Sequence, residues 1–170
     1  MILRTDLCIG GFMPFIAILF GALIAIADQV IKYFVASYLQ PVGSVVVIDN
    51  FFKLTYVENR GVAFGMFSDM KWLFIILTSI LLIIIIYIMF KKKPHNKMFY
   101  ISASLIIGGG IGNLIDRIFY GYVIDYLSIS FFPPVCNFAD YCITAGTVLF
   151  IVYILFFSNF VSSDKKKGKT

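Results

Sequence analysis

Four stretches of the chain carry no charge and are about long enough to cross a hydrocarbon layer of ~30 Å as helices: Cys8 to Ala27, Trp72 to Phe90, Met98 to Ile115 and Tyr141 to Ser163. Carried to their polar borders, these runs predict helices over about 13–36, 71–90, 98–118 and 140–161. The pattern changes between the first two, over about 39–68. There Val45-Val46-Val47-Ile48, Phe51 to Val57 and Val62 to Phe67 are rich in β-branched and aromatic residues, broken by Asp49-Asn50 and Asn59-Arg60-Gly61. Such runs predict a small β-sheet. Their apolar side chains do not keep to one alternating face, so the sheet is expected to rest on the membrane with Phe51, Phe52, Phe64 and Phe67 near lipid. The first apolar run passes through Ala25-Ile26-Ala27 into Asp28-Gln29-Val30-Ile31-Lys32 with no small-residue cleavage site, and is read as a retained helix. The expected fold is a mainly α membrane protein in one domain over 1–170. It is a four-transmembrane-helix bundle with a small extracytoplasmic β-sheet between helices one and two.

Composition agrees: of 170 residues, 61% are hydrophobic and 14% charged, the profile of a multi-pass membrane protein. Charge then orients it. Lys91, Lys92, Lys93 and Lys97 lie in the loop over 91–97, Lys165, Lys166, Lys167 and Lys169 in the tail over 162–170, and Arg4 before the first helix. These nine mark the cytoplasmic side, against five dispersed on the other: Lys32, Lys53, Arg60, Lys71 and Arg117. Both termini are then cytoplasmic. A net charge of +5 is explained by these lysines beside an anionic leaflet, and no nucleic-acid partner is expected.

This topology gathers the acids at the outer face. Asn113-Leu114-Ile115-Asp116 and Asn137-Phe138-Ala139-Asp140 repeat an Asn-x-x-Asp pattern at the borders of apolar runs, and Asp28 ends the first helix. Ionisable groups near a membrane are costly and usually functional. Gly108 and Gly112 stand four apart, a spacing that lets another helix approach and would hold Asn113 and Asp116 against neighbours. Cys8, Cys136 and Cys142 lack metal spacing and read as unpaired, with the latter two buried. The single histidine, His95, lies in the Lys-rich loop. Neither a zinc site nor a His-based triad is expected, and no metal or cofactor is called for.

Carboxylates remain, and local context separates them. Asp116 is followed by Arg117 and preceded one turn back by Asn113, which predicts an ion-paired, hydrogen-bonded brace. Asp28 has Lys32 at the i+4 spacing of a helical ion pair. Asp125, in Val123-Ile124-Asp125-Tyr126-Leu127, has no adjacent base, and apolar surroundings should favour its protonated form. Asn137 is placed to cap the last helix with Asp140 in its first turn, where the positive helix terminus favours a carboxylate. One ionised and one protonated acid at a shared site can activate water and polarise a carbonyl, the chemistry of aspartic peptidases.

Five ordered segments carry a resemblance: Asp28-Gln29 with Lys32, Glu58-Asn59-Arg60-Gly61-Val62-Ala63-Phe64, Gly112-Asn113-Leu114-Ile115-Asp116-Arg117, Val123-Ile124-Asp125-Tyr126 and Asn137-Phe138-Ala139-Asp140. Over about Phe15 to Phe157 the chain resembles bacterial lipoprotein signal peptidase, or signal peptidase II. It departs from the common pattern at Cys136, where an aromatic residue is usual, and at Arg60, often Thr. The resemblance implies a catalytic pair of Asp125 and Asp140. It implies support or substrate contact from Asp28, Lys32, Asn59, Arg60, Gly61, Gly108, Asn113, Asp116, Arg117, Asn137 and Ala139. It further implies a monomeric enzyme of the bacterial cytoplasmic (inner) membrane, with diacylglyceryl-modified prolipoproteins as substrates, lipids as neighbours and globomycin-type cyclic peptides as inhibitors. A small transporter or channel with an outer cation site would account for Asp28, Asp116 and Asp140. It would also need polar residues through the bilayer centre, and the middles of helices two and four are Ile, Leu, Phe and Val with almost none. A scaffold subunit binding a partner through its aromatic loop would leave Asp125 without a purpose.

Overall fold

The computed structural model describes residues 5–61 and 71–157, with side chains from residue 11 onward. Four helices are long and apolar enough to span a membrane. Helix α1 (Thr5–Phe34) runs on through a π-helical turn, Val35–Leu39, so it ends beyond the expected border at 36. Helix α2 is Lys71–Lys91, α3 is Lys97–Phe119 and α4 is Phe138–Phe157. Helix α3 starts where the Asn96 side chain accepts the Met98 N–H at 2.8 Å, an N-cap at the end of the Lys-rich loop. Helix α4 begins two residues before the expected position because its cap is Asn137.

Helix α3 is the hub, with most of its span buried inside the protein while the other three leave most of theirs facing outward. Its glycines explain how. A methyl group at Gly108 would lie 2.6 Å from Ile24 Cβ of α1, at Gly109 2.5 Å from the Ala139 carbonyl oxygen of α4, and at Gly110 3.0 Å from Leu82 Cδ2 of α2. Successive residues on a helix turn by about 100°, so a run of glycines lets three different helices close on one. The spacing of Gly108 and Gly112 pointed to a single neighbour; the whole run serves all three. Toward the other end of the bundle, Phe99, Tyr100 and Ala103 of α3 bury against Ala17, Leu82, Ile85 and Met89.

The sheet has four antiparallel strands in the order β1 (Ser44–Ile48), β2 (Phe52–Asn59), β3 (Val123–Ile129) and β4 (Phe132–Cys136). Half of it thus comes from the connection between α3 and α4, beyond the sheet expected over 39–68. The third expected strand, Val62 to Phe67, lies outside the described residues, as do Phe64 and Phe67. Asn50, at φ 56°, makes the tight turn between β1 and β2, a conformation Asn tolerates. Phe51 is exposed, Phe52 half-buried, and Phe51 meets Phe131 of the neighbouring hairpin at 5.8 Å between ring centroids. Pro133 and Pro134 sit in β4, an edge strand, within the irregular stretch between the pairs Ile129–Phe132 and Leu127–Cys136, where missing N–H groups are tolerated. Strand β3 is internal and its first four residues are buried, so the third of them, Asp125, enters the site from a rigid backbone paired with Val57.

Candidate active site

The site forms where the sheet meets the C-terminal ends of α1 and α3 and the N-terminal end of α4. Asn137 and Asp140 make a reciprocal cap: Asn137 Oδ1 accepts the Asp140 N–H at 2.9 Å, and Asp140 Oδ2 accepts the Asn137 N–H at 3.2 Å. This fixes the Asp140 side chain and leaves Oδ1 to accept from Asn113 Nδ2 at 2.8 Å. Asp125, 1% exposed, accepts from Asn137 Nδ2 at 2.6 Å on Oδ1 and from Asn59 Nδ2 at 2.7 Å on Oδ2. The Asn137 amide also donates to Asn113 Oδ1 at 3.1 Å. Asp125 and Asp140 are therefore joined through two carboxamides, and among the described residues the hydrogen bonds they accept come from N–H groups.

Burial drives the Asp125 carboxyl up from the ordinary 3.8 to about 6. The Asn59 and Asn137 donors and the Lys32 charge oppose the rise, and the neighbouring charge of Asp140 adds to it. The folded protein then binds this proton more tightly than the unfolded chain does. Stability from the group is present at low pH and is lost as pH rises between about 4 and 6, a total of roughly 3 kcal/mol for a rise of that size. Thermal melts of the purified protein should therefore show this component falling between about pH 4 and pH 7, and Asp125→Asn should abolish it. An unchanged slope in that variant would assign the dependence to another group.

A second layer braces the first. Lys32, 1% exposed, lies 2.8 Å from Asp28 Oδ2 and 2.8 Å from Asp116 Oδ2, and donates to Asn113 Oδ1 at 2.9 Å. The i+4 pair of Asp28 and Lys32 is as expected. The partner foreseen for Asp116 is not: Lys32, not Arg117, neutralises it. Adjacent helical residues point about 100° apart, so Arg117 diverges from Asp116. It donates instead to the Asn113 carbonyl oxygen at 3.3 Å and lies over the Phe74 ring at 5.2 Å. Asp116 further accepts from Gln29 Nε2 at 2.9 Å and from the Ile124 N–H at 3.1 Å, which ties α3 to β3. Asp28 accepts the Ala139 N–H at 3.1 Å, so the acid ending the first span meets the first turn of the last.

Other expected residues act at one remove. The Gly61 N–H donates to Asn59 Oδ1 at 3.1 Å and so orients the amide that holds Asp125. Gly112 has no room for a side chain, since a methyl there would lie 2.5 Å from Asp28 Oδ2. Gly108 serves packing on α1, away from the acids. Arg60 is not brought to them either; it pairs with Glu58 at 2.9 Å on an exposed edge, over the Tyr122 ring at 5.4 Å. Of the two cysteines expected to be buried, only Cys142 is, while Cys136 is half-exposed; both are free. Burial raises the Cys136 thiol, which keeps it protonated and poorly nucleophilic. Among the described residues, no three His, Cys, Asp or Glu side chains group as a metal site.

The sequence reading gave no role to Gln29, Gly109 or Tyr126. Gln29 also donates to the Gly112 carbonyl oxygen at 3.1 Å, and a polar amide beside Asp28 in an apolar helix was the available clue. Tyr126, pushed up to about 12 by burial, stays a phenol and accepts the Phe138 N–H at 3.3 Å, another unpaired donor at the start of α4.

The profile of the family described as signal peptidase (SPase) II matches residues 20–156, which hold every acid and amide of this network. The chain belongs to the signal peptidase II family. Lipoprotein signal peptidase of Caldanaerobacter subterraneus subsp. tengcongensis is 45% identical over 141 residues, covering 83% of this chain and 96% of that one. The protein of the same name from Clostridium acetobutylicum is 40% identical over 148 residues, covering 85% and 93%. Two solved structures, each described as a bacterial membrane enzyme determined in meso, superpose with TM-scores of 0.75 and 0.74. The first is 33% identical and covers 84% of this chain and 94% of its own; the second is 35% identical and covers 82% and 87%. Signal peptidase II is an integral membrane peptidase, and the cation-transport reading has no support beside that membership.

Proposed function

We propose that Asp125 and Asp140 are the catalytic pair of this signal peptidase II, which cleaves diacylglyceryl-modified prolipoproteins just before the lipidated cysteine. The observation that carries the reading is the asymmetry of the two acids within one amide network. Asp125 is enclosed and held toward its protonated form, while Asp140 is half-buried and sits on a positive helix terminus. A water between them gives a proton to Asp140 as its oxygen attacks the scissile carbonyl carbon, and the carbonyl oxygen takes the proton of Asp125. In the second step the C–N bond breaks, Asp140 returns its proton to the leaving nitrogen, and the new carboxyl returns one to Asp125. The amide donors from Asn59, Asn113 and Asn137 hold both acids in place throughout.

The proposed setting is the bacterial cytoplasmic membrane, with both termini inside and the acids at the outer face. The lysine bias supports this orientation. The exposed aromatic side chains Tyr33, Phe34, Tyr38, Trp72, Phe119 and Tyr120 around the site's end of the bundle suit a membrane–water border on either side, and support a site at the membrane surface. Placed there, a substrate's acyl chains stay in the bilayer while its scissile bond reaches the acids. All groups of the network come from one chain, which suits a monomer. Purified protein in detergent should cut a diacylglyceryl-modified precursor and leave the unmodified precursor intact, and a globomycin-type cyclic peptide should make the modified precursor accumulate. Equal cleavage of both precursors would overturn the substrate assignment.

A further inference from the structure

Carboxamides hold both acids, and a carboxamide can point either way. A 180° flip of Asn exchanges its donor for its acceptor at almost no change in shape, and would turn a carbonyl oxygen toward a carboxylate. For Asn137 the direction is set by the backbone, because the Asp140 N–H can only meet Oδ1. Among the described residues, Asn113 meets no such backbone donor at its carboxamide. Its amide lies between Asp140 on one side and Lys32 with Asn137 on the other.

An ammonium has three protons and no acceptor. All three of Lys32 have an acceptor in place: Asp28 Oδ2 at 2.8 Å, Asp116 Oδ2 at 2.8 Å and Asn113 Oδ1 at 2.9 Å. The two carboxylates hold the ammonium from α1 and α3. Its remaining proton makes Asn113 present oxygen, at the shorter of the two donor contacts to that atom; Asn137 Nδ2 gives the other at 3.1 Å. The Asn113 N–H must then face Asp140 Oδ1. We propose that Lys32 is a positioning residue for the peptidase reaction, fixing the direction of the Asn113 carboxamide so that Asp140 meets a donor. The inference rests on the assignment of Asp125 and Asp140 as the reacting pair. The three protons of Lys32 are taken up by Asp28, Asp116 and Asn113, so it acts on Asp140 through Asn113.

Removing Lys32 alone would leave Asp28 and Asp116 both buried without their cation, so the test is made in an Asp28→Asn background, where Lys32→Met strands one buried carboxylate, Asp116, in place of two. Four proteins are compared for cleavage of a diacylglyceryl-modified precursor: the background, then with Lys32→Met, with Asn113→Ala, and with both. Lys32→Met should lower kcat by about 10- to 100-fold, as loss of a group that orients a reacting side chain commonly does, with KM nearly unchanged. The protein with both changes should be no slower than the one with Asn113→Ala, since the two residues act through a single contact. Losses that multiply, or a rise in KM without a fall in kcat, would overturn the proposal. So would failure of the Lys32→Met protein to fold, because Lys32 would then be a structural ion. If Asn113→Ala itself leaves kcat intact, the proposal falls as well, whereas the reacting pair on which it rests fails only if Asp125→Asn or Asp140→Asn keeps its activity.

Discussion

Asp125→Asn and Asp140→Asn should each reduce precursor cleavage on the order of 10³-fold while leaving a folded protein in the membrane. The reasoning is chemical and not steric. Asn matches Asp in size and can still accept from one neighbour, but it can neither take a proton from water nor return one to a leaving amine. At Asp140 the cap survives in part, because an Asn Oδ1 can still accept the Asn137 N–H, so the loss of stability should be about 1 kcal/mol. At Asp125 the amide places its own NH₂ against one of the donors from Asn59 and Asn137, a local conflict that also favours a somewhat displaced ring of amides. Combining the two changes should cost little more than either, because the acids act as one unit. Near-normal processing by either single variant, with expression and melting temperature maintained, would remove that acid from the reaction.

The second large effect should come from a residue with no functional group. Gly109→Ala adds one methyl 2.5 Å from the Ala139 carbonyl oxygen and 2.9 Å from Ile143 Cγ1. The carbonyl is backbone, at the first turn of α4, and cannot step aside without carrying Asp140 with it. Gly110→Ala, one residue on, meets the end of the Leu82 side chain at 3.0 Å, which can turn away. The expected contrast is a loss of about 2–3 kcal/mol for Gly109→Ala against a change within about 1 kcal/mol for Gly110→Ala, where better helix propensity offsets crowding. Cleavage by the folded Gly109→Ala protein should also fall, on the order of 100-fold, because a displacement of Asp140 near 1 Å spoils its alignment. Equal melting temperatures for the two variants would show that α3 and α4 separate easily and that the close approach is not needed.

The helices could be read in advance because a charge-free run of about 20 residues has few structural options. The cap at Asn137 and the pairing of Asp28 with Lys32 were equally legible, since both depend on spacing within a few residues. What escaped was decided by contacts far apart in the chain. Strand β3 reads as a short apolar run, and only its pairing with β2 shows that it belongs to the same sheet as residues some 70 positions earlier. Asp116 stood beside an arginine in sequence and beside a lysine in space. Arg60 followed a motif residue, yet the sheet edge turns it outward to Glu58. Asp125 was separable from the other acids because its lack of a charged neighbour is itself a local feature, and its burial in β3 follows the same line.

The hydrogen bond from Ala139 to Asp28 joins residues 111 positions apart and has a consequence for how the enzyme comes into being. Ribosomes deliver this chain one span at a time, and α1, α2 and α3 enter the bilayer before α4 exists. Until α4 follows, Asp28 lacks the Ala139 N–H that it accepts, and Asp125 has neither the Asn137 amide nor Asp140 beside it. If Asp140 is one of the reacting pair, proteolytic competence cannot precede the last helix.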